Sequence, residues 1–274
     1  MKSIQLLMMN KKAGGWDLST ASYDSVSFSV SSQDTQPDGL FFKPDGTKMY
    51  VVGISGKAYQ YSLSTAWDLS TASYDSVYFS FPPTVYAPMC FFFKPDGTKM
   101  YFVAYGRDAQ QYSLSTAWDL STASYDSVSF SVSSQDTSPT GLFFKPDGTK
   151  MYITGNGNKR AYQYSLSTAW DLSTASYDSV YINLYQSNTY LQDIFFKPDG
   201  NNVYFLFNNN YGDKYINQYS LSTPWDLSTA SYDSVSFSVS SQDTSPTGLF
   251  FKQDGTKMYI AGNGSDSVYQ YSLT

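Results

Sequence analysis

Histidine and glutamate are absent from this 274-residue chain, and every one of its 23 acidic residues is aspartate. Without His there is no side chain whose ordinary pKa lies near neutrality, which excludes Ser–His and Cys–His nucleophile pairs and the commonest proton shuttles. The single cysteine, Cys90, excludes an intramolecular disulfide, so stability must come from packing. Only 17 Lys and Arg residues are present, scattered without a basic run, and the net charge is −6. Nothing here neutralises a phosphate backbone, and nucleic acid is not expected as a partner. A short apolar stretch, Ile4 to Met9, is too brief for a signal-peptide core or a membrane span. The expectation is a soluble protein made in the cytoplasm, with no signal peptide and no membrane insertion, in which residues 1–15 lead into the fold.

What is abundant points to strands. Aromatics make up 18% of the chain, with 26 Tyr and 19 Phe, and Ser, Thr, Asn and Gly fill much of the rest, the profile of an all-β protein. The segment Trp-Asp-Leu-Ser-Thr-Ala-Ser-Tyr-Asp-Ser-Val recurs unchanged five times, from Trp16, Trp67, Trp118, Trp170 and Trp225, at spacings of 51, 51, 52 and 55 residues. From each Trp to the Lys of a Phe-Phe-Lys motif is 27 residues every time, so all length variation follows that Lys. A fixed period of this size marks a repeat architecture.

The unit from 118 to 170 reads as four strands, over 127–132, 141–145, 150–154 and 161–166, the pattern of a propeller blade. Between the second and third strands of this reading, Pro146-Asp147-Gly148 forms a tight turn: Pro presets φ, Asp bonds its own backbone and Gly supplies a positive φ. Apolar groups on both strand faces require cover on both sides, which stacked blades provide. The sequence begins with the outer-strand half of a unit and ends with its complement, so the N-terminal outer strand is expected to pair with the C-terminal blade. The prediction is one all-β domain over 16–274, a five-bladed β-propeller with four antiparallel strands per blade. The repeated Trp residues are read as structural, and turn-capping as the commoner duty of Asp.

Phe-Phe-Lys-Pro-Asp-Gly-Thr-Lys-Met-Tyr followed by Tyr-Gln-Tyr-Ser-Leu resembles the blade signature of the YVTN and lactonase-like propellers. The longer pattern Gln-Asp-Thr-x-Pro-x-Gly-Leu-Phe-Phe with Ser-Thr-Ala-Trp-Asp-Leu-Ser-Thr resembles propeller repeats of marine phage and bacterial proteins. The resemblance implies a propeller whose function is set by its loops, on a virion or a bacterial surface. A lactonase-like site would use Glu, Asn and Asp around a metal, and Glu is missing; the usual glycosidase acid is likewise Glu.

In such a ring the Trp-Asp-Leu-Ser-Thr and Pro-Asp-Gly turns share one face, and the loops that differ between units gather on the other. Tyr86, Tyr105, Arg107, Asn156, Asn158, Arg160, Tyr190, Asn209, Tyr211 and Asn263 fall in those loops. They combine flat apolar rings with adaptable hydrogen bonding, as paratopes do. The leading expectation is a non-catalytic binder of a glycan or of a surface or virion protein. The alternative is a structural virion scaffold, and a third reading is a metal-assisted hydrolase. No cofactor is expected; Asp193, with Asp34, Asp136 and Asp243, offers the hard oxygens that suit Ca²⁺, and turn-capping is the competing duty of the same residues. Oligomeric state is left open.

Overall fold

The computed structural model describes residues 15–82, 88–104, 108–184, 189–209 and 212–274. Blade 1 comprises β2 (Pro37–Phe42), β3 (Lys48–Gly53), β4 (Lys57–Leu63) and β5 (Ala72–Ser80); blade 2, β6 (Pro88–Phe93), β7 (Lys99–Ala104), β8 (Ala109–Leu114) and β9 (Ala123–Phe130). Blade 3 holds β10 (Pro139–Phe144), β11 (Lys150–Gly155), β12 (Arg160–Leu166) and β13 (Ala175–Asn183); blade 4, β14 (Thr189–Phe196), β15 (Asn202–Asn209), β16 (Lys214–Leu221) and β17 (Ala230–Ser238). Blade 5 is built from β18 (Pro246–Phe251), β19 (Lys257–Gly262), β20 (Ser267–Ser272) and, from the other end of the chain, β1 (Ser22–Ser29). Each sheet is antiparallel in the order of its strands, with β1 paired beside β20, as the sequence predicts. Inner strands pack on inner strands of the neighbouring blades all the way round, β18 on β2 included, which closes the ring.

The outer strands begin earlier than the sequence reading placed them. In blade 2, Tyr125 pairs with Tyr112 and Val128 with Gln111, so Asp126 and Ser127 form a bulge. Ser127 sits at φ 59°. Two residues opposing none breaks the alternation that marks a strand, and the reading therefore recovered only the half beyond the bulge. The bulge turns Asp126 inward, where it accepts hydrogen bonds from Lys99 Nζ (2.9 Å) and Gln111 Nε2 (2.7 Å). Gln111 Oε1 in turn accepts the backbone N–H of Leu172 in blade 3 (3.0 Å). The Gln–Asp half of this relay recurs in every blade, and each Gln also accepts a Leu amide from the next: Leu120, Leu227, Leu18 and Leu69 bond Gln60, Gln163, Gln218 and Gln270.

On the turn face each Trp ring lies against the Gly of its own blade's Asp-Gly turn, Trp170 on Gly148 and Trp16 on Gly255 among them. Its amide donates to that Gly carbonyl, 3.1 Å in both cases, while its own carbonyl accepts the hydroxyl of a Tyr from the preceding blade: Tyr50 to Trp118 (2.7 Å), Tyr152 to Trp225 (2.7 Å), Tyr259 to Trp67 (2.6 Å). The five Trp residues hold φ between 66° and 71°, a left-handed conformation that costs a non-Gly residue roughly 1–2 kcal/mol; the two backbone contacts and the buried ring offset it. Gly148 itself is at φ 75°, and a Cβ there would lie 2.4 Å from the Trp170 ring. Gly148→Ala combines backbone strain with overpacking, and a loss of about 2–5 kcal/mol is expected in urea unfolding. A midpoint within error of the parent would show that the ring is not seated on the turn.

Candidate functional site

The axis of the ring is blocked. The first Phe of each Phe-Phe-Lys motif points inward, and the five rings Phe41, Phe92, Phe143, Phe195 and Phe250 meet edge-to-face in a closed circle, with centroids 5.2–5.3 Å apart. Such contacts add to simple area burial. They form a common wall between two axial cavities. The upper one, toward the variable loops, is about 20 Å³ and is also lined by Gly39, Cys90 and Asp193, room for about one water. The lower one is a cup of about 100 Å³, walled by Phe42, Phe93, Phe144, Phe196 and Phe251 and rimmed by Pro44, Pro95, Pro146, Pro198 and Gln253.

Asp193 reaches the axis, as the sequence suggested, but its oxygens are already engaged. Oδ1 accepts the amide of Ile194 and Oδ2 that of Leu249, both at 2.8 Å, so it fills with its own carboxyl the place left open by Gly39, Gly141 and Gly248. Burial pushes its pKa up to about 7, against the pull of those two amides. Cys90 is buried beside it, its thiol pushed up by burial and then by Asp193. Asp38, the second residue of β2, is also raised to about 7 by burial, with a 3.2 Å hydrogen bond from Asn263 Nδ2 opposing the effect and Asp34 adding to it.

Asp34, Asp136 and Asp243 turn out to be clasps in three separate blades. Asp136 Oδ1 accepts from Ser138 N (2.8 Å) and Gly157 N (3.0 Å), and Oδ2 from Asn158 N (2.9 Å), tying two loops together. Asp34 and Asp243 do the same with Gln36 and Ser55, and with Ser245, Gly264 and Ser265. The structure does not bring them to Asp193, and among the described residues no three metal-ligating side chains come together.

The predicted loop residues divide by what they touch. Asn156 Oδ1 accepts the amide of Leu191 in blade 4 (2.6 Å), and Asn263 bonds Asp38 of blade 1, so both Asn residues fasten neighbouring blades. Asn158 Nδ2 donates to Gln135 O (2.9 Å) and Tyr162 OH (3.1 Å). Arg160 lays its guanidinium over the Tyr181 ring, 4.2 Å from the centroid. Asn209 closes β15, its carbonyl accepting Lys214 Nζ. Tyr190 is 43% exposed at the start of β14. Tyr86, Tyr105, Arg107 and Tyr211 lie outside the described residues. The sequence reading missed the Asp38–Asn263 pair, although Asn263 stood out singly; only the ring sets the loop of blade 5 against the inner strand of blade 1.

No family model matches the chain, and no curated protein matches it in sequence. Solved structures do match in shape. One is a 6-phosphogluconolactonase candidate from Bacteroides uniformis, 13% identical, with a TM-score of 0.52 over 82% of this chain; the chain spans 64% of that protein's length. Another is a protein from Lactobacillus plantarum, 12% identical, TM-score 0.52, covering 87% of this chain and 69% of that one. At such identities the likeness is one of fold, which hosts binding, scaffolding and catalysis alike. No helix among the described residues is long and apolar enough to cross a membrane.

Proposed function

We propose that this propeller is a recognition module of a phage virion or a bacterial surface, which holds a glycan or a surface protein against its variable face. The observation that carries the reading is the contrast between the faces. On one, five closely similar Asp-Gly turns are locked by the same Trp–Gly and Tyr–Trp contacts; on the other, the loops between the second and third strands of each blade differ from blade to blade, and two of the five loops between blades depart from the Ser-Ser-Gln-Asp-Thr shared by the other three, while the strands beneath them stay alike. Copies that began alike and diverge at one set of loops fit selection for a ligand there. Exposed Tyr190 offers a stacking surface.

The test is a glycan array with the full chain. Selective binding that falls at least tenfold in Tyr190→Ala, and likewise in Tyr105→Ala, Arg107→Ala or Tyr211→Ala, supports it. A blank array together with tight attachment to a capsid or tail protein, unchanged by those four substitutions, would replace it with the scaffold reading. A second, enzymatic reading rests on two observations: the neighbour described as a lactonase candidate, and two carboxyls held near 7, Asp193 in the lining of the upper axial cavity and Asp38 on the inner strand of blade 1, the range in which an acid or base is most useful. Hydrolysis of a sugar lactone that disappears in Asp193→Asn would favour it over recognition.

A further inference from the structure

The structure assigns a second site, on the face opposite the loops: the axial cup beneath the Phe circle takes a compact apolar group of about four to six carbons, from a small molecule with a polar atom next to that group. Three features argue for it. The cup has a closed floor, because the five inward Phe rings leave no passage to the upper cavity. Its wall is almost wholly Phe and Pro, and an apolar recess of this kind holds water poorly; an engineered cavity of about 150 Å³ with similar lining stays dry and binds benzene. At about 100 Å³ and open at its mouth, this cup takes part of a six-membered ring or a branched alkyl group and leaves the rest projecting.

The third feature is the rim. Four blades place Pro there, and the fifth places Gln253. Pro has no N–H and no polar side chain, so among the described residues the Gln253 amide is the rim's single side-chain donor and acceptor. It is exposed and makes no hydrogen bond to any described residue. Mostly apolar walls with one polar group at the edge are the composition of a small-molecule pocket, the walls supplying affinity and the amide orientation. The site is independent of the loop reading and stands or falls without it.

Benzyl alcohol and benzene are the probes, titrated against the full chain while its aromatic NMR resonances are followed. Expected are saturable shifts from both, on the order of millimolar for fragments of this size. Gln253→Trp, which covers the mouth from an exposed turn position, is expected to abolish both. Gln253→Pro, which completes the apolar ring, is expected to weaken benzyl alcohol several-fold and leave benzene unchanged. Circular dichroism and melting confirm that each variant is folded. Absence of saturation in the parent, or saturation that Gln253→Trp leaves intact, overturns the assignment. Binding that emerges only after deletion of residues 1–12 also overturns it.

Discussion

A chain lacking residues 1–30 is expected to aggregate, and to lose cooperative melting or melt more than about 10 °C below the parent. The deletion removes β1, which pairs with β20 at six positions from Ser22↔Ser272 to Ser29↔Ser267. It leaves a strand of Val, Tyr and Gln with unpaired N–H and C=O groups along its whole length, a template for another chain. It also breaks connections that are not sheet pairing. Asp24 accepts Lys257 Nζ (2.6 Å), Gln270 Nε2 (2.8 Å) and Ser272 Oγ (2.6 Å), so three polar groups of blade 5 lose their partner. Trp16 leaves Gly255 bare and takes away the carbonyl that holds Tyr204 of blade 4. Truncating a fully buried Trp costs roughly 3–5 kcal/mol, and even a fraction of that for the partly buried Trp16 is large against a typical total of about 5–15 kcal/mol. Adding a peptide of residues 15–30 in trans should restore solubility by refilling the seam. A truncated protein that melts like the parent and stays dispersed would mean that the ring does not depend on this strand.

The fold was legible because each unit repeats the same turn chemistry at the same offset: Asp-Gly marks a tight turn in all five units, with Pro before it in four, and five like units of four strands point to a ring of blades. The bulge at Asp126 and Ser127 was not legible, since alternation is the signal for a strand and a bulge erases it. Nor was the axis. Phe143 and Phe144 are neighbours of one type in one motif, and only the ring decides that Phe143 joins the central circle while Phe144 stacks on Trp170. The loop residues show the same limit from the other side. Polar composition marked Asn156 and Asn263 as ligand candidates, yet a polar side chain on a loop can serve the neighbouring blade as well as a ligand, and both of these do.

Stability is expected to be greatest near pH 4–5 and to decline as pH rises toward 7. In the unfolded chain an Asp carboxyl titrates near its ordinary value of 3.8, whereas folded Asp193 titrates at about 7. Between those values the folded state keeps a proton that the unfolded state has released, so each increase in pH favours unfolding; below the lower value both states hold the proton, and above the upper one the loss is complete. One pH unit is worth about 1.4 kcal/mol, so Asp193 alone accounts for a decline on the order of 4 kcal/mol. Asp38 adds to it in the same direction. Its proton has a structural use: Asn263 Nδ2 donates to Asp38, and Asn263 Oδ1 is buried with no hydrogen-bond partner among the described residues, so a protonated Asp38 would offer the donor that side chain lacks. The opposite trend sets the acid limit. Asp24, Asp75, Asp126 and Asp178 are held below the ordinary carboxylate range, with burial opposing and hydrogen bonds from Lys, Gln and Ser prevailing. Their stabilisation is present above about 4 and is lost as pH falls through their lowered values. Urea midpoints measured at pH 4.5 and 7.5 check the balance. The parent should be the weaker at 7.5; Asp193→Gly, which copies Gly39, Gly141 and Gly248, and Asp38→Asn, whose amide can donate at either pH, should each lose a substantial part of the difference. Equal midpoints in the parent, or an undiminished difference in Asp193→Gly, would show that the axial carboxyl stays ionised in the fold.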